Sequence, residues 1–346
     1  MSNAPDKISK TSLTSSFLAI GETALRSYDV ECAQIDFISH GENATFRVEA
    51  ADGQVYLLRV HHPASSHFPA ACRRREAIES ELEWLSALNH DTNLVVPQPV
   101  QTQNGKWIAC VSREDFPETL CCTLLRWIEG EHPAHPLSIE QARNIGAAVA
   151  HVHAHGAQWN KPIAFTRPRY DMEWFHRCLD NLARGIDLGL IARPDFEILR
   201  QATECLAEEM KDLGEKEEVW GLIHGDVFDC NILVSDGKIG LIDFSSCGFG
   251  HFALDLASLV LHFAWKNREC AKAILDGYQS IRPLPQSIDS SLAVFPVARI
   301  LDDLSYIQTR PERHEKMKNM LVPCSVEYCR DYLNGRVVLF ESTRTL

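Results

Sequence analysis

The chain lacks the long apolar run that a membrane-spanning helix needs, which is about 18 residues or more. Its most apolar helix-like stretch, residues 252–265, is shorter and contains Asp255. Residues 1–16 lack the apolar core and the cleavage site of a signal peptide. These absences predict a protein that has no membrane partner and that works in the cytoplasm.

Positive charge is also scarce, because 34 Lys and Arg residues face 47 Asp and Glu residues and give a formal net charge of −13. Proteins that bind nucleic acids rely on clustered Lys and Arg, so the composition predicts no nucleic-acid partner. The acidic balance would suit a cationic substrate. The 12 cysteines include no Cys-x-x-Cys pair, although structural zinc sites need closely spaced ligands. We therefore expect reduced thiols, with neither a disulfide framework nor a zinc site.

Two different kinds of sequence pattern divide the chain, whose 346 residues suffice for about two domains. Short β-rich runs fill the first third, and Asp52-Gly53 between two of them predicts a hairpin. One helix is expected at roughly residues 70–89, because apolar residues recur there at helical spacing. From a capping box that begins at Ser138, the remainder is predicted to be mostly helical.

One β-rich island, residues 220–244, interrupts the helical second part. It predicts a hairpin that Asp226 and Asn231 precede and that Asp243 follows. Because a hairpin brings its two ends together, these three oxygen-bearing side chains are expected to converge. Oxygen ligands of this kind suit Mg²⁺, and a further carboxylate could orient or deprotonate a hydroxyl. This is the minimum set of groups for phosphoryl transfer, in which positioning and charge neutralisation do most of the work.

The island resembles the aminoglycoside phosphotransferase and choline-kinase-like family, whose fold is similar to that of protein kinases. The resemblance rests on His224-Gly225-Asp226, on Asn231, which completes a His-x-Asp-x-x-x-x-Asn spacing, and on Ile242-Asp243-Phe244. It covers roughly residues 35–310 and implies an α+β fold of two lobes, with a small β-rich N-lobe and a larger, mainly helical C-lobe. The expected parts are a flexible N-terminus at 1–16, the N-lobe at 17–123, a hinge at 124–131 and the C-lobe at 132–346.

The resemblance assigns roles to these residues position by position. Asp226 would be the catalytic base or the group that orients the acceptor hydroxyl, while Asn231 and Asp243 would hold Mg²⁺. Asp255 would brace the loop from the helix that follows. The family usually has His where this chain has Phe228, a change that leaves the three acting positions intact.

The resemblance also implies an ATP site to which both lobes contribute. Gly41 and Asn43 lie in the expected phosphate-covering loop between two strands. Arg59 takes the place of the family's usual Lys and would hold the inner phosphates. Glu81 falls within the apolar stripe of the following helix and is therefore its expected partner. Trp127, in the expected hinge, would belong to the core or to the wall of the nucleotide cleft.

The predicted function is ATP- and Mg²⁺-dependent transfer of the γ-phosphate to a hydroxyl of a small molecule, such as an aminoglycoside-, homoserine- or choline-like acceptor. Two alternatives stay open, namely a protein Ser/Thr kinase of the bacterial stress-response type and a non-catalytic nucleotide-binding module. The short segment from Asp243 to Asp255 and the absence of an Ala-Pro-Glu motif favour a small acceptor. Asp302, Asp303 and Tyr306 are candidate lining residues of the acceptor pocket.

Two other patterns are present but fit less well. Residues 248–253 match the Gly-x-Gly-x-x-Ala dinucleotide pattern, yet no repeated βαβ units surround them. His151 and His155 share a helix face, but no Glu completes a His-Glu-x-x-His zinc motif. We expect neither a dinucleotide site nor a histidine metal site.

Overall fold

The structure is a computed structural model of the 346-residue chain. It describes residues 10–41, 43–61, 74–114, 116, 118–134, 136–264, 267–284 and 288–337. The chain divides into two units. The first takes in most of the chain up to Glu129, and the second begins at Gly130 and also includes Asn93–Val95.

The first unit is built on a six-stranded antiparallel sheet. Its strands are β1 (Cys32–His40), β2 (Asn43–Ala50), β3 (Val55–His61), β4 (Pro99–Val100), β5 (Ile108–Val111) and β6 (Leu120–Arg126). They lie in the order β1-β2-β3-β6-β4, and β5 also pairs with β6. Helices α1 (Lys10–Leu25) and α2 (Arg75–Asp91) belong to the same unit.

Strand β2 shows how the sheet buries its core. Its alternate positions from Ala44 to Ala50 are buried, and the residues between them are partly exposed. A two-residue period of this kind places one face of a strand on the core. At the Asp52-Gly53 turn, Gly53 has a φ of +82°, which favours glycine, and β2 pairs antiparallel with β3. The predicted hairpin is confirmed.

Helix α1 overlaps the segment, residues 1–16, for which the sequence predicts a flexible lead-in. Residues 1–9 lie outside the described part of the chain, but the helix begins at Lys10. Phe17 and Ile20 on this helix are fully buried in the core of the first unit. Tertiary burial therefore stabilises a segment whose Ser and Thr content does not favour a helix by itself.

The helix predicted at roughly residues 70–89 and the expected hinge are located more closely by the structure. Helix α2 carries the expected apolar stripe on its buried face, and its first described turn starts at Arg75. Strand β6 runs into the expected hinge at 124–131, because its pairing with β3 continues to Arg126. The chain then passes from the first unit to the second between Glu129 and Gly130.

The second unit is mainly helical. Its helices are α3 (Ile139–Gln158), α4 (Met172–Asp187), α5 (Arg193–Leu213), α6 (Phe252–Ala264), α7 (Arg268–Gln279), α8 (Ile288–Gln308), α9 (His314–Lys316) and α10 (Val322–Leu333). The predicted capping box at the start of α3 is present, because the Ser138 side chain accepts from Gln141 N and the Gln141 side chain accepts from Ser138 N. In the part of the chain that the structure describes, no helix has the length and apolar character to cross a membrane.

Two pairs of short strands interrupt these helices, namely β7 (Trp220–Ile223) with β10 (Gly248–His251) and β8 (Ile232–Ser235) with β9 (Lys238–Leu241). Both pairs are antiparallel. The Gly-x-Gly-x-x-Ala pattern falls on β10 and the start of α6. Because β10 pairs antiparallel with β7, this pattern is not the parallel strand-turn-helix of a dinucleotide fold.

Helices α3 and α7 pack with closely approaching backbones. A Cβ on Gly146 of α3 would lie 1.9 Å from the carbonyl oxygen of Ile274, and one on Gly277 of α7 would lie 1.9 Å from that of Arg143. Only glycine fits at these two positions without a shift of the backbone. The close contact holds α3 and α7 where His153, on α3, can reach Tyr278 on α7 and Asp255 on α6.

Candidate active site

The loop between β7 and β8 carries the predicted catalytic aspartate. Its second residue is Gly225, whose φ of +81° favours glycine. A Cβ on Gly225 would also lie 2.3 Å from the carbonyl oxygen of Ser246, so a side chain is sterically excluded there. Asp226 follows, and a 3-10 turn at Asp229–Asn231 leads the chain into β8. The local backbone thus fixes where Asp226 can lie.

Asp226 and Asn231 are in direct side-chain contact. Nδ2 of Asn231 donates to Oδ2 and to the main-chain oxygen of Asp226, both at 2.9 Å. The Asp226 side chain is 28% exposed, so a ligand can reach it. Two of the three residues that the sequence predicts to converge are therefore together.

Asp243 lies just beyond the other end of the same hairpin. The main-chain nitrogen of Ile242 donates to the main-chain oxygen of Asn231 at 2.9 Å, which brings the two ends together as the sequence predicts. Asp243 has φ 60° and ψ 69°, a left-handed conformation that is uncommon for a residue with a Cβ. Its Oδ1 accepts from the main-chain nitrogen of Ser245 at 3.3 Å, a local bond that helps aspartate adopt this conformation.

The segment after Asp243 is held at three successive main-chain carbonyls, those of residues 245–247. Arg167, which is buried, donates to the first and the third at 2.6 Å each. The Tyr170 hydroxyl donates to the second at 2.6 Å. These bonds fix the segment that follows the left-handed residue, so the position of Asp243 is determined from both sides.

Asp255 braces the catalytic loop from α6. Its Oδ2 and Oδ1 accept from the main-chain nitrogens of His224 and Gly225 at 2.8 and 2.9 Å. Oδ2 also accepts from Nε2 of His153 at 3.0 Å, and the Tyr278 hydroxyl donates to Nδ1 of that imidazole at 3.0 Å. These contacts confirm the bracing position predicted for Asp255.

The charges of this buried network follow from its hydrogen bonds. Burial lowers the pKa of His153 and outweighs the opposing effect of Asp255. Burial by itself would raise the pKa of Asp255, but the bonds from His153 and His224 outweigh it and lower that pKa. His153 lies between His151 and His155, and nothing in the local sequence pattern shows that it is the histidine that faces the core.

Arg299 on α8 reaches the loop between β7 and β8, and no local sequence pattern points to this contact. Nη2 donates to Oδ1 of Asp226 at 2.8 Å, and Nη1 donates to the main-chain oxygen of Gly225 at 3.0 Å. Nε donates to Oδ2 of Asp303 at 3.0 Å, one turn along the helix. The guanidinium carbon lies 4.9 Å from the centroid of the Phe228 ring. Burial opposes the charge of Arg299, but the surrounding carboxylates outweigh it and raise its pKa.

Asp302 and Asp303, two of the candidate acceptor-pocket residues, lie next to this arginine. Oδ1 of Asp302 accepts from the Trp174 indole nitrogen at 3.0 Å. Burial raises the pKa of Asp302 to about 6, although the nearby guanidinium lowers it. Tyr306, the third candidate, accepts a 2.8 Å hydrogen bond from Nη2 of Arg310. The structure therefore places two acidic side chains within electrostatic range of Asp226.

The first unit holds a separate buried ion pair. Nη1 of Arg59 on β3 lies 3.0 Å from Oε1 of Glu81 on α2, and the two side chains are only 4% and 3% exposed. The partner predicted from helical periodicity is confirmed. The part of this pair in nucleotide binding stays a prediction.

The other predicted nucleotide-binding residues also lie in the first unit. The main-chain nitrogen of Gly41 donates to the main-chain oxygen of Asn43 at 3.1 Å, and Glu42 between them lies outside the described residues. A Cβ on Gly41 would meet nothing within 4 Å, so this backbone is accessible. Trp127 is half-buried, and its main-chain nitrogen donates to Val55 at 3.0 Å within the unit.

Known proteins resemble the chain over most of its length. It is 27% identical over 230 residues to a homoserine kinase of Neisseria meningitidis, covering 64% of this chain and 68% of that protein. It is 25% identical over 305 residues to a homoserine kinase of Nitrobacter winogradskyi, covering 81% and 83%. A solved microcompartment-associated aminopropanol kinase is 27% identical, with a TM-score of 0.77 over 93% of this chain and 100% of that one.

The structural neighbours confirm the fold class. An amicoumacin kinase in complex with AMP-PNP and Ca²⁺ has a TM-score of 0.74 over 95% of this chain and 96% of that one, and at 17% identity this likeness shows the fold alone. The β-rich first unit and the helical second unit are thus those of a kinase-like phosphotransferase fold. Residues 34–289 match the model of the phosphotransferase enzyme family, a range that includes Arg59 and Asp226 but ends before Arg299. Because this match covers well over half of the sequence, the chain belongs to the phosphotransferase enzyme family.

Proposed function

We propose that this phosphotransferase moves the γ-phosphoryl group of ATP, with Mg²⁺, to the hydroxyl of a small amino alcohol. The chain is a kinase whose acceptor is a hydroxyl group of a small molecule. The contact between Asp226 and Asn231 at the base of the β8–β9 hairpin carries the proposal, since it places a base beside an amide in a ligand-accessible loop.

Asp226 acts on the acceptor. Its carboxylate accepts a hydrogen bond from the acceptor hydroxyl and orients the oxygen toward the γ-phosphorus. A bond forms between this oxygen and phosphorus, the bond from phosphorus to the β-phosphate oxygen breaks, and ADP leaves with that electron pair. The hydroxyl proton passes to Asp226. Positioning of this kind provides most of the catalysis in phosphoryl transfer.

The donor set at the hairpin suits Mg²⁺. Both side-chain hydrogen bonds of Asn231 use Nδ2, which leaves Oδ1 as the oxygen for a ligand, and Asp243 adds a carboxylate. Among the described residues, no group of three or more His, Cys, Asp or Glu side chains is arranged to hold a metal. Mg²⁺ commonly binds through one or two protein oxygens together with substrate phosphates, so Asn231 and Asp243 suffice. When bound, the ion neutralises phosphate charge.

The first unit supplies the nucleotide-binding residues in this proposal. Arg59, held by Glu81, presents a planar cation to phosphate oxygens. The accessible backbone at Gly41 and Asn43 covers the phosphates, and Trp127 contacts the nucleotide.

The charges near Asp226 favour an acceptor that bears an ammonium group. Asp302 and Asp303 on α8 add two carboxylates to that of Asp226, and Arg299 contributes the one cation that contacts Asp226 among the described residues. The excess of negative charge attracts a cation. Two relatives named homoserine kinases and a structural neighbour named an aminopropanol kinase point to acceptors with an amine near a hydroxyl.

The test is release of ADP from MgATP in the presence of homoserine, 1-amino-2-propanol, choline, an aminoglycoside or casein. We expect turnover with an amino alcohol, and we expect Asp226→Asn to lower kcat by at least about 100-fold. Asp236→Asn in the β8–β9 turn is the matched control, because Asn tolerates its φ of 49°. Turnover with casein alone, or full activity of Asp226→Asn, would contradict the proposal.

A further inference from the structure

We propose that Arg299 is a positioning residue for phosphoryl transfer, which holds the carboxylate of Asp226 in its working orientation. This assignment rests on the proposed function and adds a residue that the family match does not include, because that match ends at residue 289. It makes α8 part of the catalytic apparatus of this chain.

The first observation is that each carboxylate oxygen of Asp226 has its own donor. Oδ2 accepts from Asn231 at 2.9 Å, and Oδ1 accepts from Arg299 at 2.8 Å. Two donors on opposite oxygens restrict rotation of the carboxylate about its terminal bond. With both donors in place, the carboxylate plane is set before an acceptor arrives, which is the preorganisation that positioning requires.

The second observation is that one guanidinium bridges the main chain and the side chain of the loop. While Nη2 bonds the carboxylate of Asp226, Nη1 bonds the main-chain oxygen of Gly225 at 3.0 Å. The planar fork of arginine supplies two donors at a fixed separation, whereas a lysine ammonium is a single point charge on a flexible stem. The bridge therefore fixes the Asp226 side chain relative to its own backbone.

The third observation is that Arg299 is itself fixed on its remaining sides. Its Nε donates to Oδ2 of Asp303 at 3.0 Å, and Nη2 lies 2.7 Å from Oδ1 of the same carboxylate. The Phe228 ring lies under the guanidinium at 4.9 Å, a distance at which a cation is attracted to an aromatic face. Its side chain is 22% exposed. Because these contacts fix the guanidinium, its hydrogen bond to Oδ1 holds the Asp226 carboxylate in one orientation.

A competing role for Arg299 is to bind a carboxylate of the acceptor, such as that of homoserine. The two roles predict different kinetics. A residue that orients Asp226 affects kcat equally for acceptors with and without a carboxylate, since the reacting groups are the same. A residue that binds the acceptor carboxylate affects KM, and only for acceptors that have one.

The experiment compares Arg299→Gln and Arg299→Lys with the wild type, using homoserine and 1-amino-2-propanol as acceptors and MgATP as donor. We expect Arg299→Gln to lower kcat by about 100-fold with each acceptor that the wild type uses, while KM for MgATP changes less than about threefold. Arg299→Lys should recover part of the loss. Free guanidinium ion should raise the kcat of Arg299→Gln, whereas a purely structural defect would not respond to it.

The matched control is Arg200→Gln. Like Arg299, Arg200 pairs with two carboxylates, those of Glu197 and Glu204, but it lies at the surface of α5. It should leave kcat unchanged. A rise in KM confined to homoserine, or an unchanged kcat in Arg299→Gln, would overturn the assignment and leave the proposed function standing. Absence of turnover by the wild type with every acceptor would instead overturn the proposed function, and this assignment with it.

Discussion

Arg59 and Glu81 join β3 to α2 through a 3.0 Å ion pair in which neither side chain is more than 4% exposed. A buried charge that loses its partner is costly, because the protein cannot replace the lost hydration. The pair therefore links the stability of the first unit to the residue that we assign to the nucleotide phosphates.

Replacement of Glu81 by Gln tests that link. We expect Glu81→Gln to lower the free energy of unfolding by about 3 kcal/mol, since it removes the charge of Glu81 from beside the buried guanidinium. Denaturant unfolding measures the loss. The matched control on the same helix is Glu79→Gln, whose carboxylate also lies 3.0 Å from an arginine, Arg75, but is 39% exposed. A surface pair contributes little, so the control should lose under about 1 kcal/mol. Equal losses in the two variants would refute the argument from burial.

Replacement of Asp255 tests the brace under the catalytic loop. The pKa of Asp255 is lowered below its ordinary value of 3.8, chiefly by the hydrogen bonds that outweigh its burial. The carboxylate thus contributes stability that is present above pH 3.8 and is lost as the pH falls toward the lowered pKa. We expect Asp255→Asn to lower the free energy of unfolding by about 3 kcal/mol at pH 7, and by progressively less below pH 4.

Chemical denaturation at a series of pH values measures this difference, with Asp276→Asn at an exposed position of α7 as the control. If the loss in free energy of unfolding for Asp255→Asn did not change with pH, the charge of Asp255 would not be the source of its stabilising effect.

Asp302 should show the opposite dependence on pH. Its pKa is raised from 3.8 to about 6, because burial disfavours the charged form more than the nearby guanidinium favours it. The contribution of protonated Asp302 to the free energy of unfolding is complete below pH 3.8. This contribution is lost as the pH rises through about 6. The permanently neutral Asp302→Asn should therefore be more stable than the wild type above pH 6, by about 1–2 kcal/mol.

Thermal unfolding at pH 5 and pH 8 tests this expectation, and the same variant should have a raised KM for an amino alcohol. A variant that is less stable than the wild type at pH 8 would contradict it. Gain of stability together with loss of acceptor affinity is the pattern expected of a residue that serves function at the expense of folding.

Local sequence patterns predicted the turns, the helix face and the loop contacts that depend on residues close together in the chain. The hairpin at Asp52-Gly53 follows from turn chemistry, and helical periodicity selected Glu81 among the glutamates of its helix as the partner that the family resemblance implies for Arg59. The contact of Asn231 with Asp226 lies within the loop that precedes β8, and the placement of Asp243 follows from the closure of the β8–β9 hairpin. Each of these features depends on residues that are near one another in the chain.

The features that were missed depend on distant contacts. Helix α1 is rich in Ser and Thr, and it is stabilised by packing in which Gly21 lets it approach the sheet so closely that a Cβ would lie 2.8 Å from Leu58. Arg299 lies 73 positions from Asp226, and no periodicity or motif connects the two. The family resemblance did not supply it either, because the shared motifs are concentrated around the catalytic loop.

The left-handed backbone of Asp243 limits how this site can evolve. At φ 60° a β-branched or bulky residue is strained, whereas Asn and Gly are tolerated. Neither of those two restores a charged carboxylate. Under the role that we propose for Asp243 as a ligand of Mg²⁺, the substitutions that folding permits at position 243 are ones that chemistry rejects, and a lineage that loses this aspartate keeps its fold without the metal ligand.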